Sequence, residues 1–153
     1  MSLLSDPTTN YKAYKNKKLQ IDTYFLSLAQ SDLSGYNTCP MANKFIAKEN
    51  NPKKSNCSHV CVGSRGNAQV FPMIMQARIK KTIRFFEDRQ NFMNELVTEI
   101  AKAIIKSDKK GIKPTFRLNS YSDIRWESIK IDKFGGNTIY ELFPNVEFYD
   151  YTK

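Results

Sequence analysis

Residues 21–29 (IDTYFLSLA) are β-branched and aromatic with no glycine or proline, which predicts a strand. From residue 30 to residue 66 the periodicity breaks under Ser, Asn, Gly, Pro and Cys, predicting a long irregular loop. Helical spacing returns over residues 68–87, with Ile74, Ala77, Ile79, Ile83, Phe85 and Phe86 apolar and Pro72 tolerable only in the first turn. Asp88 then reads as the N-cap of a second helix. Its stripe is Phe92, Met93, Leu96, Val97, Ile100, Ile104 and Ile105, and it ends in lysines before Gly111, a natural C′ residue.

Beyond Pro114 the pattern predicts a strand at residues 115–120 (TFRLNS) and a short helix around residues 124–129, N-capped by Ser122 or Asp123. A turn at Gly135-Gly136, a helical turn at residues 138–143 closed by Pro144 and a last strand at residues 146–152 (VEFYDYT) follow. A helix between two strands normally returns the chain to a parallel neighbour. The expected fold class is therefore α/β: a partial barrel or a small, open, mainly parallel sheet with helices, carrying a long cysteine-bearing loop after its first strand. Residues 1–20 read as a basic N-terminal arm and residues 21–153 as a single α/β domain. Parallel sheets collect chemistry at the carboxyl ends of their strands, here the cysteine loop, the run from Asn119 to Asp123, and Tyr151 to Lys153.

Composition narrows the class. Of 153 residues, 10 are Phe and 8 are Tyr, which argues against disorder. No window approaches the roughly 18 apolar residues of a membrane span, and residues 1–9 lack the apolar stretch of a signal peptide, so a cytosolic protein is expected. The net charge of +9 is uneven: residues 1–66 and 67–113 carry +5 each and residues 114–153 carry −1. Positive charge invites a polyanionic partner. Lys12, Lys15, Lys17 and Lys18 on the arm, with Arg78, Lys80, Lys81 and Arg84 on the first helix, are the candidate nucleic-acid contacts; a solvated surface is the alternative.

Three cysteines in a reducing compartment read as free thiols or metal ligands rather than a disulfide framework. Cys57 and Cys61 are separated by three residues (CSHVC), and Cys39 lies upstream in a Thr-Cys-Pro turn. With Lys54 and Arg65 nearby to favour thiolates, they could hold zinc or three irons of a cluster; the alternative is that they are small buried hydrophobes. Radical S-adenosylmethionine enzymes use CxxxCxxC, whereas this chain has Ser64 in the third position, which counts against S-adenosylmethionine without ruling it out. His59, the single histidine, reads as a surface imidazole or a fourth zinc ligand. Asn119, Ser120, Ser122 and Asp123 could bind a hydroxyl or phosphate, with Asp123 as a base, and Gly63-Ser-Arg-Gly66 could bring Arg65 against a phosphate.

In order along the chain, SGYNTCP, CSHVC, GSRGN, QARIKKTIRFFEDR, FRLNSYSDIRWE and FPNVEFYDYTK resemble the phage-encoded gene product 88-like proteins over about residues 26–153. The resemblance implies part of a radical-enzyme-type barrel with a bound metal or iron–sulfur cluster, in a host cytoplasm. By position it marks Cys39, Cys57 and Cys61 as metal ligands, Asn119, Asp123 and Lys153 as catalytic candidates, and Arg65, Tyr151 and Thr152, beside Ser120 and Ser122, as ligand-binding ones. This chain departs from the family in a Lys/Asn-rich insertion at residues 48–56 and in ending at Lys153, so a barrel truncated relative to the family is expected. The leading expectation is a metal- or iron–sulfur-binding α/β protein. The rival is a non-catalytic basic module that binds nucleic acid or a host protein.

Overall fold

The computed structural model describes residues 2–8, 19–40, 61–64 and 70–151. Over these, strands β1 (Leu4–Ser5), β2 (Ile21–Leu26), β3 (Lys113–Arg117) and β4 (Glu147–Phe148) alternate with helices α1 (Pro72–Glu87), α2 (Arg89–Asp108) and α3 (Ile139–Leu142). The chain divides into two compact units: Met1–Ser27, Asp88–Ser120 and Arg125–Lys153 form the first, Leu28–Glu87 and Tyr121–Ile124 the second.

The first unit holds the sheet, in the order β1-β2-β3-β4. Strands β2, β3 and β4 are parallel and β1 is antiparallel to β2, so the sheet is open and mainly parallel rather than a closed barrel. The α/β class expected from the pattern holds. Five consecutive residues of β2 are buried, as expected where both faces of a parallel sheet are covered. Phe116 anchors the centre, its ring stacked on Tyr24 at 5.3 Å and tilted against Phe148 at 5.6 Å.

Helix α2 packs along β3 with Phe92, Met93, Leu96, Val97, Ile100, Ala103 and Ser107 buried. The predicted stripe is corrected at its end, where Ile105 is exposed and Ser107 is inside. At 100° per residue, Ala103 and Ser107 continue the face of Leu96 and Ile100, and Ser107 finds polar partners there: its hydroxyl donates to Asp22 and lies 3.2 Å from the Tyr24 hydroxyl. Asp88 makes no side-chain cap, and instead accepts a hydrogen bond from Asn91.

Three other expectations shift. Strand β3 starts two residues earlier than predicted and includes Pro114, while the predicted helix at residues 124–129 shrinks to one 3₁₀ turn, Trp126–Ser128, with neither Ser122 nor Asp123 as its cap. The last strand keeps only Glu147–Phe148. The pattern did not predict β1, whose position rests on tertiary contacts: the Glu99 carboxylate accepts the backbone N–H groups of Leu3 and Leu4 and the Ser2 hydroxyl. Helix α3 forms where the helical turn was expected, opened by a Thr138–Glu141 capping box.

Asp6, just beyond β1, is ion-paired with Lys106 of α2. Hydrogen bonds from Lys106 and then Thr8 hold its carboxyl down at about 2. A carboxyl lowered by folding adds stability above its ordinary value of 3.8, and that contribution is lost as the pH falls to about 2. Lys106→Met is expected to return the Asp6 titration, followed by carboxyl NMR shifts, towards 3.8. Because the pair is solvent-accessible, the loss at neutral pH should stay below about 1 kcal/mol. An Asp6 titration unmoved by the substitution would discount the pairing.

Candidate functional site

The cysteine site belongs to the second unit. After β2 the chain makes a tight turn in which the Leu33 N–H donates to the Gln30 carbonyl, and Ser31 sits in the left-handed region at φ 51°. Left-handed backbone costs a non-glycine residue about 1 kcal/mol or more, and such strain concentrates at functional sites. Here it accompanies a Ser31 N–H that donates to Cys39 Sγ at 3.4 Å.

The Thr-Cys-Pro turn is pinned from both sides. The Thr38 hydroxyl donates to the Ala29 and Ser31 carbonyls, and its own carbonyl accepts the Asp123 N–H at 2.8 Å. The Cys39 thiol points at the Tyr121 carbonyl, 3.6 Å away. Cys61 opens the 3₁₀ turn Val62–Ser64, where the Gly63 N–H donates to its sulfur at 3.4 Å. Both cysteines are buried.

The two cysteine turns approach the same residues. A Cβ on Gly63 would lie 3.0 Å from Gln30 Oε1 and 3.1 Å from the Tyr121 ring, so Gly63 closes on the residue preceding Ser31 and on the one whose carbonyl faces Cys39. Arg78 of α1 fixes this arrangement: its guanidinium donates to the Gly63 carbonyl at 2.7 Å and lies 4.0 Å above the Tyr121 ring. Gln30 itself is buried, and among the described residues its Oε1 has no hydrogen-bond partner. Sequence reasoning missed Gln30, Ser31 and Tyr121, although a polar run directly after a buried strand was a usable signal.

Asn119 and Ser120 belong to the first unit, Ser122 and Asp123 to the second. Asn119 spends its polar groups on structure: its N–H and Nδ2 donate to the two oxygens of Asp150, and its Oδ1 accepts the Trp126 indole N–H at 3.0 Å. Asp150, also missed from sequence, lies 4.0 Å from Arg117 Nε, and Arg117 in turn stacks on exposed Tyr151. Ser120 and Ser122 are buried.

Beside Asp150 a groove of about 430 Å³ is lined by Leu118, Tyr140, Phe143, Val146 and Phe148 among others. Burial, and then the Asp150 charge, pushes the Tyr140 hydroxyl up to about 12. That phenol stays neutral and available as a hydrogen-bond donor at physiological pH.

Of the basic candidates, Lys80 is exposed, Lys81 and Arg84 are half-buried, and Arg78 is committed to Gly63 and Tyr121. Cys57, His59, Arg65, Thr152, Lys153 and the arm lysines Lys12, Lys15, Lys17 and Lys18 lie outside the described residues. Among the described residues no three His, Cys, Asp or Glu side chains gather as metal ligands, and no helix is long and apolar enough to cross a membrane.

A family model described as Gene product 88 matches residues 2–153. No curated protein and no solved structure matches the chain.

Proposed function

The chain belongs to the Gene product 88 family, and from that premise we propose that it is a metalloprotein whose Cys39, Cys57 and Cys61 hold zinc or an iron–sulfur cluster. The observation that carries this reading is that each described cysteine is buried and its sulfur accepts a backbone N–H, Ser31 to Cys39 and Gly63 to Cys61. Such N–H···S bonds are the outer-shell support that metal-bound thiolates receive, and they orient the sulfur and balance its charge. A purely hydrophobic role for the thiols would not call for a strained serine aimed at one of them, nor for a glycine turn closed over the other.

The donor set proposed is Cys39 and Cys61, whose turns approach the same residues, with Cys57 four residues before Cys61 in the sequence. Zinc bound there would supply Lewis acidity or a structural tie, and a cluster would supply electron transfer. Asp123 stays with this reading as a polar residue proposed for a substrate, whereas Asn119 is engaged by Asp150 and Trp126. S-adenosylmethionine draws no support from the cysteine spacing. The rival nucleic-acid reading has fewer side chains to work with, because Arg78 is spent on the cysteine turn.

Anaerobic purification followed by metal analysis and a visible spectrum tests the proposal. About one zinc per chain, or iron with sulfide and a broad charge-transfer absorption, is expected, lost on Cys39→Ser or Cys61→Ser. Metal-free protein with three freely titrating thiols would sink it.

A further inference from the structure

We propose that the groove beside Asp150 is a binding site for a small organic ammonium ion, its apolar body against the aromatic walls and its charged head at Asp150 and the Tyr140 hydroxyl. The inference is independent of the metalloprotein reading, because the groove lies wholly within the first unit and the cysteines within the second.

The groove has the size and the place of a small-molecule site. Its volume of about 430 Å³ falls in the range of about 300–1,000 Å³ that such ligands occupy. Leu118 follows β3 directly, and Tyr149 and Asp150 follow β4, so the groove opens at the carboxyl ends of two parallel neighbours, where open α/β sheets bind ligands.

Its walls and its charge select the class of ligand. Tyr140 and Phe148 meet edge to face, with centroids 5.0 Å apart and planes at 78°, so the two rings form a corner rather than a flat wall. Aromatic faces carry negative potential and attract cations. Asp150 adds a full negative charge that is held in place: Asn119 donates to its two oxygens, from N–H at 3.2 Å and from Nδ2 at 3.1 Å. Arg117, 4.0 Å from Asp150, is stacked over Tyr151, and among the described residues no lysine or arginine lines the groove. Burial first, and then the charges of Asp150 and Glu127, keep the proton on Tyr140, so its neutral hydroxyl can accept from an ammonium N–H. The groove also belongs to residues 114–153, which carry −1 while the two stretches before them carry +5 each. An anion would meet carboxylates there, and a fully apolar ligand would leave them without a counter-charge.

The test titrates the full chain at neutral pH with three probes of one shape: 2-phenylethylammonium, neutral 2-phenylethanol and anionic 3-phenylpropionate. Calorimetry gives the affinities and amide NMR shifts give the location. The ammonium should bind about tenfold more tightly than the alcohol, the worth of one charge-assisted hydrogen bond, with the carboxylate weakest and with shifts at residues 140–150. Asp150→Asn should bring the ammonium within about twofold of the alcohol and leave the alcohol unchanged, which also reports an intact groove. Glu127→Gln, on an exposed side chain, should weaken the ammonium about twofold and spare the alcohol, so the charge argument stays testable if Asp150→Asn fails to fold. No binding by wild type, equal binding of ammonium and alcohol, or shifts confined to other residues would overturn the inference. So would an ammonium preference that survives in the folded variants.

Discussion

Trp126→Ala is expected to cost about 3–5 kcal/mol of unfolding free energy, a large share of what a domain of this size possesses. Trp126 is fully buried, in a 3₁₀ turn whose position depends on that side chain. Truncation leaves a cavity and removes the indole N–H from Asn119 Oδ1. Asn119 also carries both oxygens of Asp150, so the loss spreads to the carboxyl ends of β3 and β4. Trp126→Phe separates the two causes, since it keeps most of the apolar volume and removes only the donor; about 1–3 kcal/mol is expected. Urea unfolding followed by far-ultraviolet circular dichroism measures both, because Trp126 is the chain's single tryptophan and its fluorescence is lost in the variants. A Trp126→Ala cost below about 1 kcal/mol would contradict the packing described.

The same residues show what could be read in advance. Helix α2 was legible because a stripe sustained over five turns outweighs local noise, and only its end, where Ser107 replaces Ile105 inside, depended on a partner from another strand. Strand β1 was illegible because two residues carry no periodicity; Glu99, more than 90 residues away, defines it. The turn at Trp126 looked helical because apolar spacing is ambiguous over so few residues. At the site, the cysteines announced their chemistry by type. Gln30, Ser31 and Tyr121 did not, since they act through a buried amide, a backbone N–H and a backbone carbonyl, which no side-chain pattern encodes. Arg78 misled for a related reason: charge patterning assigns it to a basic face with Lys81, whereas a carbonyl and an aromatic ring remote in sequence claim it.

The strongest consequence of that arrangement falls on Gly63, which sequence alone offered as part of a phosphate-approaching turn. Its backbone needs no unusual φ; what requires glycine is space, since a Cβ would meet Gln30 Oε1 at 3.0 Å and the Tyr121 ring at 3.1 Å. Gln30 is flexible enough to yield alone, but Tyr121 is held under Arg78, and Arg78 is tied to the Gly63 carbonyl, so the three cannot retreat independently. Gly63→Val, with two methyl groups beyond the Cβ, is therefore expected to cost about 3 kcal/mol through overpacking. Relief would come from moving the Val62–Ser64 turn outward, which draws the N–H away from Cys61 Sγ. Loss of such outer-shell support typically costs about 10–100-fold in metal affinity. Under the metalloprotein reading, Gly63→Val should thus lower stability and weaken metal affinity together, whereas Trp126→Phe should lower stability alone. Urea unfolding and competitive chelation measure the two quantities. Metal affinity unchanged in Gly63→Val, alongside the expected loss of stability, would show that the glycine serves packing and that the N–H···S bond at Cys61 contributes nothing to metal binding.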